Sequence, residues 1–230
     1  MTGATASTDL VPADRESGTG RGAVAFAWLW IAGALLASMA LALLATLPAL
    51  QPGADAVVGW VDDGTFQLTW AGELLFFATI AWGAGAAGAF AAQHTGTPLR
   101  RSIALIALSV ALVAFVIVLL ALGRLVYPVV DVDLAADTIV LLVSVVIGTV
   151  HLALLALAVV AIALPVPTRS ARAGQTITAV GIACGVLFVV GSYPWLLPTW
   201  LNLVVAGAVG CWGALVGVAL LARERPRTRP

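Results

Sequence analysis

The stretch SIALIALSVALVAFVIVLLAL, residues 102–122, runs for 21 residues without a charge. As a helix rising 1.5 Å per residue it measures about 31 Å, the thickness of a bilayer's hydrocarbon core. Its apolar residues do not alternate with polar ones, which excludes a barrel strand. Within lipid, that leaves a helix as the way for the backbone to satisfy its own hydrogen bonds. Working outward, five more apolar stretches reach spanning length: residues 23–48, 71–93, 137–164, 176–195 and 200–222. The expected fold is all-α, a polytopic transmembrane bundle of six spans over residues 23–222. A polar tail, 1–22, is expected to be disordered, and a short basic tail, 223–230, closes the chain.

The composition agrees, with 62% hydrophobic and 10% charged residues against roughly half and a quarter in a soluble domain. A cleavable signal peptide ending near Ala54-Asp55-Ala56 is the rival reading of the first stretch. That stretch is much longer than the 7–15 residues of a signal h-region, so a retained anchor is expected.

Orientation comes from arginine, since all eleven basic residues are arginine and none is lysine. Ten lie in four segments that six spans place on one side: Arg15 and Arg21, Arg100 and Arg101, Arg169 and Arg172, and Arg223, Arg225, Arg227 and Arg229. The other side has Arg124 against Asp55, Asp62, Asp63, Glu73, Asp131, Asp133 and Asp137. By the positive-inside rule both termini are cytoplasmic. Trp60, Trp70, Tyr127, Tyr193, Trp195 and Trp200 gather at the opposite boundary, where amphipathic rings favour the headgroups. Pro48, Pro128 and Pro194 end the three helices that run toward it. The arginine-only bias suggests a high-GC bacterial genome, hence the plasma (inner) membrane. A formal net charge of zero speaks against nucleic acid as a partner.

The long loop 49–70 alternates in its second half, with Phe66, Leu68 and Trp70 on one face and Thr65, Gln67 and Thr69 on the other, just after Asp63-Gly64. That pattern predicts a β-hairpin lying against the helix ends.

Small residues recur at four-residue spacing in Gly181 and Gly185, in Gly213 and Gly217 with Ala206 and Gly210 upstream, and in Ala78, Ala81, Gly85, Gly88 and Ala92. Such faces let helix backbones approach closely in lipid. The last two spans, joined by the short Pro194–Pro198 connection, are expected to cross through Gly185 and the Ala206, Gly210, Gly213 stripe.

Chemistry-bearing residues are few. His151 is the one titratable residue near the middle of a span. It is either an imidazole bonded to a neighbouring helix or part of a transport path. Glu73, Arg124 and Asn202 lie near the arginine-poor boundary and could rim a polar vestibule. The bland alternatives are an interfacial carboxylate at a helix start and an ion pair of Arg124 with Asp131, Asp133 or Asp137. There is no HExxH, no Walker lysine, no GxSxG and no central carboxylate pair. Cys184 and Cys211 have no metal-ligand spacing, and one histidine cannot supply both axial ligands of a bis-histidine haem. No cofactor or metal is expected.

Residues 176–222, with GIACGVLFVVGSYPWLLPTW and then GCWGALVGVALLAR, resemble in hydropathy and glycine placement six-span bacterial membrane proteins of the actinobacterial type with no assigned function. The resemblance carries over no site residue. The function expected is a non-enzymatic accessory subunit or a small transport or sensing module, with the bilayer and a membrane protein or second copy as partners. The alternative is a small-solute transporter or intramembrane enzyme with a site near His151, Glu73 and Asn202.

Overall fold

The structure, a computed structural model, describes residues 14–92, 96–127, 134–166, 168 and 170–224. Among these residues there are seven α-helices and no strand: α1 (Asp14–Ala45), α2 (Ala54–Asp63), α3 (Thr65–Ala92), α4 (Pro98–Val126), α5 (Ala136–Ala163), α6 (Ala171–Gly191) and α7 (Thr199–Glu224). All except α2 contain an apolar window long enough to cross a membrane. The chain is therefore an all-α protein with six membrane-spanning helices.

Local chemistry fixes the helix ends. Thr97 caps α4 by accepting from the Arg100 N–H at 3.4 Å, with Pro98 in the first turn. Ser170 caps α6 by accepting from the Ala173 N–H at 3.2 Å. Two arginines of the 94–101 connection close other helices. Arg101 Nη2 donates to the Phe90 carbonyl at 2.9 Å and Arg100 Nη2 to the Ile162 carbonyl at 3.1 Å. Both carbonyls lie in the last turns of α3 and α5, where acceptors are orphaned and the dipole favours a cation.

Two expectations are corrected. Helix α1 begins at Asp14, so residues 14–22, read as disordered tail, are helical. The predicted hairpin in 49–70 is helix. The Gly64 N–H donates to the Trp60 carbonyl at 3.0 Å and the Leu68 N–H to the Gly64 carbonyl at 2.9 Å, so helical bonding carries on from α2 into α3. The threonines that seemed to mark a strand face bond back along the helix, Thr65 Oγ1 to Asp62 at 2.9 Å and Thr69 Oγ1 to Thr65 at 2.7 Å. Six alternating residues fit either period, and the apolar side of α2, through buried Val57 and Val61, packs on the bundle.

The six spans form a closed ring. Helix α1 packs on α3, α3 on α4, α4 on α5, α5 on α6, α6 on α7, and α7 returns to α1, while α2 lies against α5. The seams are built on small residues. An added Cβ at Gly85 would lie 2.5 Å from the Trp30 backbone nitrogen, and one at Gly33 2.6 Å from that of Trp82, so α1 and α3 meet backbone to backbone. Fully buried Ala34, Ala37, Ala40 and Ala78 continue that close approach.

The expected crossing of the last two spans through their glycines is also corrected. Gly181 and Gly185 face α5, against Ala161, Ile162 and the Ala158 carbonyl. Gly210, Gly213 and Gly217 face α1, against Ser38, Ala34 and Ile31. The α6–α7 contact instead uses Gly191 against Val205 and Phe188 against Trp212, whose ring centroids are 6.4 Å apart. Spacing reveals a small face but not the neighbour it faces, and a ring gives each helix two neighbours to choose from.

Candidate functional site: a cavity at the arginine-poor end

Large aromatic side chains fill the middle of the ring. Trp30, Trp82, Trp212 and Phe188 are almost completely buried. Trp30 stands edge-on to Trp82 at 5.9 Å and to Trp212 at 6.4 Å. The indole N–H groups of Trp30 and Trp82 have no hydrogen-bond partner among the described residues. Nothing in the periodicity of the sequence marks these three tryptophans as a cluster, because each belongs to a different helix.

Toward the arginine-poor end the ring opens. A cavity of about 230 Å³ lies between α1 and α7 on one side and α5 on the other, with Trp60 of α2 and the Pro194–Leu197 turn at its rim. The walls are apolar, with Leu41, Leu44, Val146, Val150, Leu154 and Val205 prominent. No Asp, Glu, Arg or His side chain lines it. Its polar side chains are the indoles of Trp60 and Trp195, the Thr199 hydroxyl and the Asn202 carboxamide. The Trp60 Nε1–H donates to the Pro48 carbonyl at 2.8 Å, which fastens the end of α1 to α2.

The turn after α6 is held from both sides. His151, on α5, donates from Nδ1 to the Ser192 carbonyl at 2.7 Å, since a carbonyl can only accept. Asn202, on α7, donates from Nδ2 to the Pro194 carbonyl at 2.9 Å. Ser192 is fully buried, and its hydroxyl donates to Val189 at 2.7 Å. The His151 ring also packs against Tyr193 at 4.8 Å and Trp195 at 6.0 Å. Counting along its own helix puts His151 mid-span, yet its ring meets the end of α6. Helix α5 therefore overshoots α6 at this end, by roughly four turns at 3.6 residues per turn. The ring of His151, mid-way along α5, thus lies beside the terminus of α6 and the rings of Tyr193 and Trp195.

His151 and Asn202 are thus brought to the same turn, and Asn202 also lines the cavity. Glu73 and Arg124 do not line it. The Tyr127 hydroxyl donates to Glu73 at 3.1 Å across the α3–α4 seam. Partial removal from water, this bond and the carboxylate's negative charge push the Tyr127 phenol above its usual 10.0. Arg124 has a buried Nη1 with no partner among the described residues and forms no ion pair with Asp137. Asp131, Asp133 and Pro128 lie outside the described residues. No group of three or more His, Cys, Asp or Glu able to hold a metal occurs among the described residues.

The fold and this cavity define a class, a multi-pass helical membrane protein with an apolar chamber inside its bundle. Comparison with protein-family models, curated proteins and solved structures finds no match to any of them.

Proposed function

We propose that this protein is a non-enzymatic module of a bacterial plasma membrane that receives a small apolar molecule in the cavity at its arginine-poor end. The ten-to-one arginine split supports placing that end outside the cytoplasm, with both termini inside. The observation that carries the reading is the cavity itself: about 230 Å³, walled by aliphatic side chains and free of ionisable ones. For scale, an apolar cavity of about 150 Å³ takes up benzene. The catalytic alternative has less support, because the His151 Nδ1–H and one Asn202 N–H are held by backbone carbonyls of the 192–198 turn and do not face each other across a site. Glu73 is engaged elsewhere, by Tyr127. A role as a sensing or accessory subunit follows naturally, with the occupied cavity signalling through the 192–198 turn to helices that a partner protein or second copy could contact.

Tryptophan quenching tests this. In lipid nanodiscs, 4-bromotoluene should quench the fluorescence of Trp60 and Trp195 saturably, and Ile147→Phe, which fills the cavity, should abolish the saturable part. Quenching that rises linearly with probe and ignores Ile147→Phe would mean partitioning into lipid alone, and the reading would fall.

A further inference from the structure

We infer that the cavity is built for a neutral amphiphile of one hydroxyl on an apolar body of about ten non-hydrogen atoms, with the hydroxyl held by Asn202 and Thr199. This rests on the proposed binding role and names the chemical class of its ligand.

Size comes first. Scaling from about 150 Å³ for benzene, a cavity of about 230 Å³ holds a body roughly half as large again, about nine or ten heavy atoms. That admits a short alkylphenol or the end of a chain and excludes a folded diacyl lipid.

Charge comes second. With no ionisable side chain on the walls, an ion would lose its hydration with nothing in exchange. The end of α1 (Leu44, Ala45) and the start of α7 (Thr199) both border the cavity and present dipole ends of opposite sign, so neither sign of charge is favoured.

The polar handle comes third. Among the four polar side chains on the lining, Trp60 is committed to Pro48, and the Asn202 amide donates to Pro194. That leaves the Asn202 carboxamide oxygen, an acceptor, and the Thr199 hydroxyl, able to give or accept, without partners among the described residues, with the Trp195 indole N–H, a donor only, beside them at the rim. A hydroxyl both donates and accepts, and so complements the pair, whereas a hydrocarbon would leave both unpaired beside it. Both residues lie at the first turn of α7, so the hydroxyl would sit at the mouth and the apolar body would point toward Leu154 and Val205.

Displacement of 4-bromotoluene tests the inference with matched probes, 4-propylphenol and propylbenzene, compared at equal concentration in the bilayer. The phenol should displace about fivefold or more effectively, as one or two net hydrogen bonds allow. Thr199→Val, which touches no bond of the turn, should reduce that preference, and Asn202→Leu should remove the rest. If Asn202→Leu misfolds, Thr199→Val carries the test alone. Saturable 4-bromotoluene binding with equal displacement by the two probes would overturn the hydroxyl assignment and leave the cavity reading standing. Failure of 4-bromotoluene itself to saturate would overturn both.

Discussion

Gly85→Ala should destabilise the protein, although alanine is the better helix former. The new Cβ would lie 2.5 Å from the Trp30 nitrogen, 2.8 Å from its Cα and 2.9 Å from the Phe26 carbonyl oxygen, all of them backbone atoms, where ordinary contact begins at 3.4 Å. Relief requires α1 and α3 to part by about 1 Å, and in a close-packed seam such overpacking costs up to about 3 kcal/mol. The helix-propensity gain of Gly to Ala offsets about 1 kcal/mol, leaving a net loss of about 2 kcal/mol. Gly83→Ala, two residues away, is the control. Its Cβ would meet only Leu112 Cδ1 at 3.7 Å, an ordinary contact, so the propensity gain should survive. Reversible unfolding in mixed micelles should therefore place the two variants on opposite sides of the wild type, separated by about 3 kcal/mol. A Gly85→Ala protein as stable as Gly83→Ala would show that α1 and α3 do not meet backbone to backbone.

Two further outcomes follow from individual bonds. His151→Leu leaves the Ser192 carbonyl without its donor beside a buried residue and should cost about 1–3 kcal/mol in the same unfolding measurement, while His151→Gln, which keeps a donor, should recover most of it; equal losses for both would remove the bond as the reason. The Tyr127 phenol, raised above 10.0, makes its contribution at lower pH and loses it as pH climbs through the raised value. In a Tyr193→Phe background the Tyr127 phenol should ionise late in an absorbance titration, and Glu73→Gln should bring it back toward 10.0. No change on Glu73→Gln would mean that the negative charge of Glu73 does not act on the Tyr127 phenol.

The spans were legible because each is long and apolar, and the seam of Ala78, Gly85 and Gly88 was legible because small residues at helical spacing have few other uses. What the sequence hid was pairing. Gly185 and Gly213 share the same motif yet face α5 and α1, and only the order of helices around the ring decides that. Residues 65–70 misled because a short alternating run looks alike as a strand and as the first turns of an amphipathic helix. His151 stands out in the sequence as the one titratable residue near the middle of a span, but its partners, the Ser192 carbonyl and the Tyr193 and Trp195 rings, belong to the end of the next helix and leave no signal in its own. Trp30, Trp82 and Trp212 read as scattered aromatics until three helices bring them together. Of the cavity only Asn202 was marked in the sequence; its walls gave no signal, being the space that aliphatic residues leave unfilled.

The account turns on a chamber that is reached from the non-cytoplasmic side and that takes up a small apolar body. In a background carrying Cys184→Ala and Cys211→Ala, Thr199→Cys places a single thiol at the mouth. The labelling of that thiol by a membrane-impermeant maleimide in intact cells is the direct measurement. The account predicts reaction without permeabilisation and protection by propylbenzene that Ile147→Phe abolishes. Labelling only after permeabilisation, or labelling that propylbenzene leaves untouched, would contradict it.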